Sequence, residues 1–157
     1  MGERKMTAAE NRFFREILTE VRERSRLDEM KQYLSHADVS VYMHSVKVAY
    51  IAYRFAVKHQ IPCDLRALVR GGLLHDYYLY DWHDPNKGFR WHGFKHHRFA
   101  LANAECALAL TGKERNIIAS HMFPLTFWSL PRCREAWLVT VADKIVASKE
   151  TARKYHK

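Results

Sequence analysis

Six residues in this sequence have side chains suited to holding a cation or moving a proton, at positions where a helical protein usually places apolar ones. His75 and Asp76 stand side by side at the end of the apolar stretch Leu65–Leu74, and the aromatic run Tyr77-Tyr78-Leu79-Tyr80-Asp81-Trp82 follows them. Burying an imidazole and a carboxylate together is costly unless something pairs with both. A divalent cation would do so. His44, His96, His121 and Asp143 also fall on inward faces or at ends of other predicted helices. A lone inward histidine is ordinarily a hydrogen-bonded core residue, but six such groups, each from a different helix apart from the adjacent His75-Asp76 pair, suit a common metal centre inside a bundle.

The elements that must position these groups are helical. Thr7-Ala8-Ala9-Glu10 has the form of a capping box, and Phe13, Phe14, Ile17, Leu18, Val21, Leu27 and Met30 recur at helical spacing, with a break near Ser25. Asp38 or Ser40 caps a second helix ending near His59, with Val41, His44, Val48, Ile51, Ala52 and Phe55 inward. Asp64 caps the third, nearly apolar helix, in which Gly71-Gly72 is explained by close approach of a neighbour. Residues 77–95 lose all period and read as a long loop. A fourth helix is predicted from about His96, with Phe99, Ala100, Ala104, Ala107, Leu108 and Leu110 buried, and a short fifth from Lys113 to His121. The last runs from Arg132 to about Lys149, with Trp137, Val141, Ile145 and Val146 facing in. The expected architecture is all-α: one domain spanning residues 1–157, a bundle of about six helices, with residues 1–36 an N-terminal helical extension packed on a 38–150 core.

Composition narrows the function classes. No apolar run approaches the roughly 18 to 20 residues that span a bilayer, and the start of the chain does not read as a signal peptide, so a cytoplasmic protein without membrane association is expected. Cys63, Cys106 and Cys133 form no C-x-x-C pair, which disfavours a disulfide framework or a zinc ribbon. A net charge of +9 favours polyanionic ligands without choosing among them.

The order His44, then His75-Asp76 after a small-apolar helix, then Asp143 in Val141-Ala142-Asp143-Lys144, resembles the H…HD…D signature of the HD-domain superfamily of metal-dependent phosphohydrolases. His96 and His121 resemble the further ligands of members that bind two metals, such as the HD-type diadenosine tetraphosphate hydrolases and the HD-GYP cyclic-dinucleotide phosphodiesterases. The Gly-Tyr-Pro motif of the latter is absent. Leu74–His83 with Trp91-His92-Gly93-Phe94 is similar to a group of small bacterial HD-domain proteins. The resemblance covers about Val39 to Ser148.

It implies that His44, His75, Asp76 and Asp143 hold one metal while Asp76 bridges to a second held by His96 and His121. Such mixed ligation suits Fe, Mn, Co, Ni or Zn better than Mg and does not by itself rank them; two divalent ions are expected, Fe or Mn first, with Zn, Co, Ni or Mg as alternatives. A water bridging the two cations would lose a proton near neutral pH and attack phosphorus in line. The implied activity is hydrolysis of a phosphomonoester or phosphodiester, a nucleotide or a related small molecule.

Only one of the adjacent His96 and His97 should face the centre, and Ala100 and Ala104 continue the side of His96. His92 is a ligand, a proton donor to the leaving group, or a loop residue. Together with His75 and Asp76, His92 and Lys144 are the candidate catalytic residues, Lys144 to orient a carboxylate or contact phosphate. Lys87, Arg90, Trp91, Lys95 and Arg98 are candidate substrate contacts, cations for phosphate oxygens and rings for a base. The alternative for the rings is that they cover the end of the bundle. His36, His59, His83 and His156 read as surface residues. Two other functions remain open: a di-iron oxygenase on the same scaffold, and a nucleic-acid or regulatory binding module with a structural metal. Whether the chain forms homo-oligomers is left open.

Overall fold

In a computed structural model, residues 4–81, 83, 84 and 92–155 are described. The described residues fold into six α-helices and one 3-10 turn: α1 (Ala8–Arg24), the 3-10 turn (Leu27–Gln32), α2 (Val41–Lys58), α3 (Leu65–Leu74), α4 (His92–Ala107), α5 (Gly112–Ser120) and α6 (Arg134–Tyr155). The fold is all-α. Among the described residues the only β pairing is an isolated bridge between Leu34 and Ser40, and no helix is long and apolar enough to cross a membrane.

Local chemistry sets the helix ends. Thr7 and Glu10 form the expected capping box, and Thr111 with Glu114 forms a second one at α5; such caps are worth about 1 kcal/mol each. Ser40 caps α2 through the main-chain N–H of Met43 at 3.2 Å, and Asp64 caps α3 through that of Ala67 at 2.9 Å.

Helix α3 lies at the centre and packs on α1, α2, α4, α5 and α6. Leu73, Leu74 and Val69 join Phe14, Ile17 and Val21 of α1 on one side, and Leu68 joins Val48, Ile117, Val139 and Val146 on the other. Gly72 permits this. A Cβ there would lie 2.8 Å from the Cα of Ala49, and one on Gly71 would lie 2.5 Å from Cδ1 of Ile117. Alanine at 72 would gain about 1 kcal/mol of helix propensity but must push α2 backbone away, which costs about 1–3 kcal/mol. Gly72→Ala is therefore expected to lower the denaturant midpoint, and a raised midpoint would contradict the close approach.

Several expected faces are corrected. On α6 the buried residues are Glu135, Ala136, Val139, Thr140, Ala142, Asp143, Val146 and Glu150, whereas Trp137, Val141 and Ile145 are 46%, 51% and 43% exposed. The helix carries two apolar stripes, and only one can turn to the bundle. The exposed stripe lines a groove of ~220 Å³ with Ile51 and Phe55 of α2, so Phe55 is also largely exposed. On α4 Ala100 and Ala104 are buried, but Phe99 and Ala107 are exposed.

Candidate metal centre

Each helix delivers its group by local means. His75 is the C-cap residue of α3 and His121 that of α5. The last carbonyls of a helix lack intrahelical donors, and both imidazoles supply one. His75 donates from Nδ1 to Gly72 O at 2.7 Å, and His121 from Nδ1 to Ile118 O at 2.8 Å. His96, in α4, donates from Nδ1 to His92 O at 3.0 Å. His44, in α2, faces the carboxylate Oε2 of Glu150 with its Nδ1 at 2.8 Å. A carbonyl oxygen can only accept, so the first three rings carry the proton on Nδ1, and the Glu150 carboxylate favours the same arrangement in His44.

Every Nε2 therefore points inward. Two groups of ligand atoms result, each with all members within 4.8 Å of one another: His44, His75, Asp76 and Asp143, and Asp76, His96 and His121. His44 Nε2 lies 2.9 Å from Asp143 Oδ1 and 3.7 Å from Asp76 Oδ2, while His75 Nε2 lies 3.5 Å from Asp76 Oδ2. On the other side, His96 Nε2 and His121 Nε2 approach Asp76 Oδ1 to 3.1 and 3.2 Å and each other to 2.9 Å. All six residues are buried.

Neutral imidazoles with Nδ1 protonated offer only lone pairs at Nε2, and carboxylates offer only lone pairs. Acceptors thus converge without donors of their own. His75 Nε2 and Asp76 Oδ1 are buried without a hydrogen-bond partner. Such a cluster must take up protons or cations. Donors held about 2.0–2.2 Å from a divalent ion stand about 3 to 3.5 Å apart, the spacing found here, so the residues fit a metal.

The electrostatics agree. Burial opposes charge on His44, but its bonds to Asp143 and Glu150 and the field of Asp76 outweigh it and raise the pKa to about 10. His75 is likewise raised, against burial, mainly by Asp76. Burial would raise Asp76, yet His75, His121 and His96 hold it well below the carboxylate range. Asp143 is lowered too, with His44 and His75 overcoming its burial. The centre is built to hold positive charge.

Above it lies a cavity of ~210 Å³, lined by both carboxylates together with His36, Tyr78, His92 and Met122. His92 sits in the first turn of α4, so this helix starts one turn before the position expected from the sequence. Its ring stacks on His96 at 4.7 Å, and its Nδ1 lies 2.9 Å from the hydroxyl of Tyr80. It is not in either ligand group. Burial and His96 lower its pKa to about 3, which makes it neutral at pH 7.

Residues 41–148 match the HD domain, more than half of the chain. The chain belongs to the HD-domain family. HD domains form a superfamily of metal-dependent hydrolase type, commonly phosphohydrolases. No curated protein and no solved structure gives a significant match.

Within this HD domain the other candidates lie elsewhere. Lys144 does not reach the carboxylates' cavity, because its ammonium donates to the carbonyl of His121 at 3.1 Å; it anchors the backbone of that histidine. Lys95 and Arg98 are exposed and do not line the cavity. They stand one position before and two after His96, and on a helix of 3.6 residues per turn those positions point away from it. Lys87, Arg90 and Trp91 fall outside the described residues. His97 is also buried, with its Nδ1 unpartnered, but it belongs to neither ligand group.

Two residues of the HD site escaped sequence reasoning. Glu150, 4% exposed, backs His44. It lies seven positions after Asp143, on the same helical face, and a helix ending near Lys149 hid it. Burial would raise its pKa, but His44 and Lys47 hold it lowered. His36, expected on the surface, is half-buried, and its ring meets that of His44 edge to face at 5.2 Å. Its turn is fixed by the Leu34–Ser40 bridge and by Ala37 in the left-handed region, at φ 58°.

Proposed function

We propose that this protein is a phosphohydrolase that uses two divalent cations, Fe or Mn, to cleave a small phosphomonoester or phosphodiester such as a nucleotide. The observation that carries this reading is the convergence of four imidazole Nε2 atoms on Asp76 and Asp143, with His75 Nε2 and Asp76 Oδ1 unpartnered.

His44, His75, Asp76 and Asp143 would hold one cation and Asp76, His96 and His121 the other. The bound ions would supply Lewis acidity, both for activating water and for the charge that develops on phosphoryl oxygens. The chain's own groups do the rest. Asp76 supports both halves, because Oδ2 faces His44 and His75 while Oδ1 faces His96 and His121. Neutral His92 suits orienting a phosphoryl oxygen through an N–H better than protonating a leaving group. His36 faces the same cavity. At ~210 Å³ the cavity is smaller than the roughly 300–1,000 Å³ of pockets that engulf a drug-sized ligand. It fits a phosphoryl group and the atoms next to it, with the remainder of the substrate outside.

The test is a screen of nucleotides and simpler phosphoesters with protein purified without chelator and supplied with Mn²⁺ or Fe²⁺. Phosphate release that stops on chelation and continues without oxygen is expected. Turnover that requires oxygen would instead favour the oxygenase reading. Tight, salt-sensitive RNA or DNA binding without turnover would favour the binding module.

A further inference from the structure

Of the four histidines around the centre, His75, His96 and His121 give their Nδ1 proton to main-chain carbonyls. His44 alone is backed by a carboxylate. Glu150 Oε2 lies 2.8 Å from its Nδ1, while Glu150 Oε1 accepts from Lys47 Nζ at 3.2 Å. The carboxylate side chain is 3% exposed, and it ties α2 to α6 just behind one half of the centre. Desolvating a carboxylate is costly, and a Leu at this position would pack against α2 without that cost. Something other than packing is served.

We propose that Glu150 is a positioning residue that sets metal affinity selectively in the half of the centre formed by His44, His75, Asp76 and Asp143. This rests on the metal-binding reading above. A carboxylate behind an imidazole does two things: it fixes the tautomer and ring orientation so that the Nε2 lone pair points inward, and it makes that nitrogen a stronger donor. A main-chain carbonyl achieves the first with less of the second. The two halves therefore differ by construction, and the His44 half carries the stronger imidazole donor. Lys47 holds the carboxylate in place from outside.

Metal-free full-length protein titrated calorimetrically with Mn²⁺ tests this, with thermal denaturation of each variant run alongside. The unsubstituted chain is expected to bind two ions. Glu150→Leu is expected to weaken one binding event by about 10–100-fold, the usual effect of losing such a partner, and to leave the other unchanged. Glu150→Gln keeps an acceptor for Nδ1–H and loses the charge, so its loss at the same event should be smaller. In a His121→Ala background only the His44 half remains, and Glu150→Leu should weaken that single event by the same factor. Co²⁺ absorption bands of the single-site protein should also shift. Equal weakening of both events, or unchanged affinity at both, would overturn the selective role even if metal binds. A chain that binds no metal at all would overturn the underlying reading as well.

Discussion

Asp76→Ala is expected to abolish metal binding in both halves of the centre at once and to cut metal-dependent turnover by roughly 10³-fold or more. The carboxylate gives one oxygen to each half: Oδ2 lies 3.5 Å from His75 Nε2, and Oδ1 lies 3.1 and 3.2 Å from His96 and His121. Among the described residues no other belongs to both ligand groups. Lewis-acid stabilisation is worth several kcal/mol, and each ~1.36 kcal/mol is a factor of about ten in rate. His121→Ala, by contrast, removes a ligand from one half and should leave one ion bound. Metal content by mass spectrometry and calorimetric titration separate the two variants. An Asp76→Ala protein that keeps both ions would show that the carboxylate does not bridge.

The second large effect is a pH dependence of opposite sign with and without metal. In the metal-free chain His44 has a pKa raised to about 10, with His75 shifted in the same direction. Against an unfolded value of about 6.5, the protonated His44 contributes stability that is fully present below about pH 6.5 and is lost as pH rises through about 10. Asp76 and Asp143 are lowered, so their contribution is present above about pH 4 and is lost as pH falls below that. Metal-free protein should thus lose stability from about pH 6.5 upward. Metal binding needs the Nε2 lone pair and expels the proton, so affinity should rise roughly tenfold per pH unit for each proton released. The thermal shift produced by Mn²⁺ should therefore widen between about pH 6 and pH 9. Calorimetry in buffers of different ionisation enthalpy would count the protons. Affinity independent of pH, or a metal-free protein that grows more stable as pH rises above about 6.5, would contradict the charge balance described.

The reasons why some of this was legible in the sequence are physical. His44, His75, Asp76, His96, His121 and Asp143 stood out because a polar group on an apolar helical face needs a partner, and the structure brings all six together. The capping boxes and Gly71-Gly72 were legible because their chemistry is local or steric. The inward face of α6 was not. Trp137, Val141 and Ile145 form as good an apolar stripe as Val139, Ala142 and Val146, and the choice between them follows from where Asp143 must point. The start of α4 lacks any capping signal at His92-Gly93. Glu150 acts through His44, far away in sequence, which no local pattern encodes, and His36 meets the same ring from an irregular turn that has no period to read.

The most direct measurement is an anomalous-diffraction map from crystals grown with Mn²⁺. Two peaks are expected about 3.5–4 Å apart, one among His44, His75, Asp76 and Asp143, the other among Asp76, His96 and His121, with Asp76 between them. A map with no peak in this cluster, or with an ion bound only elsewhere, would contradict the paired-cation centre.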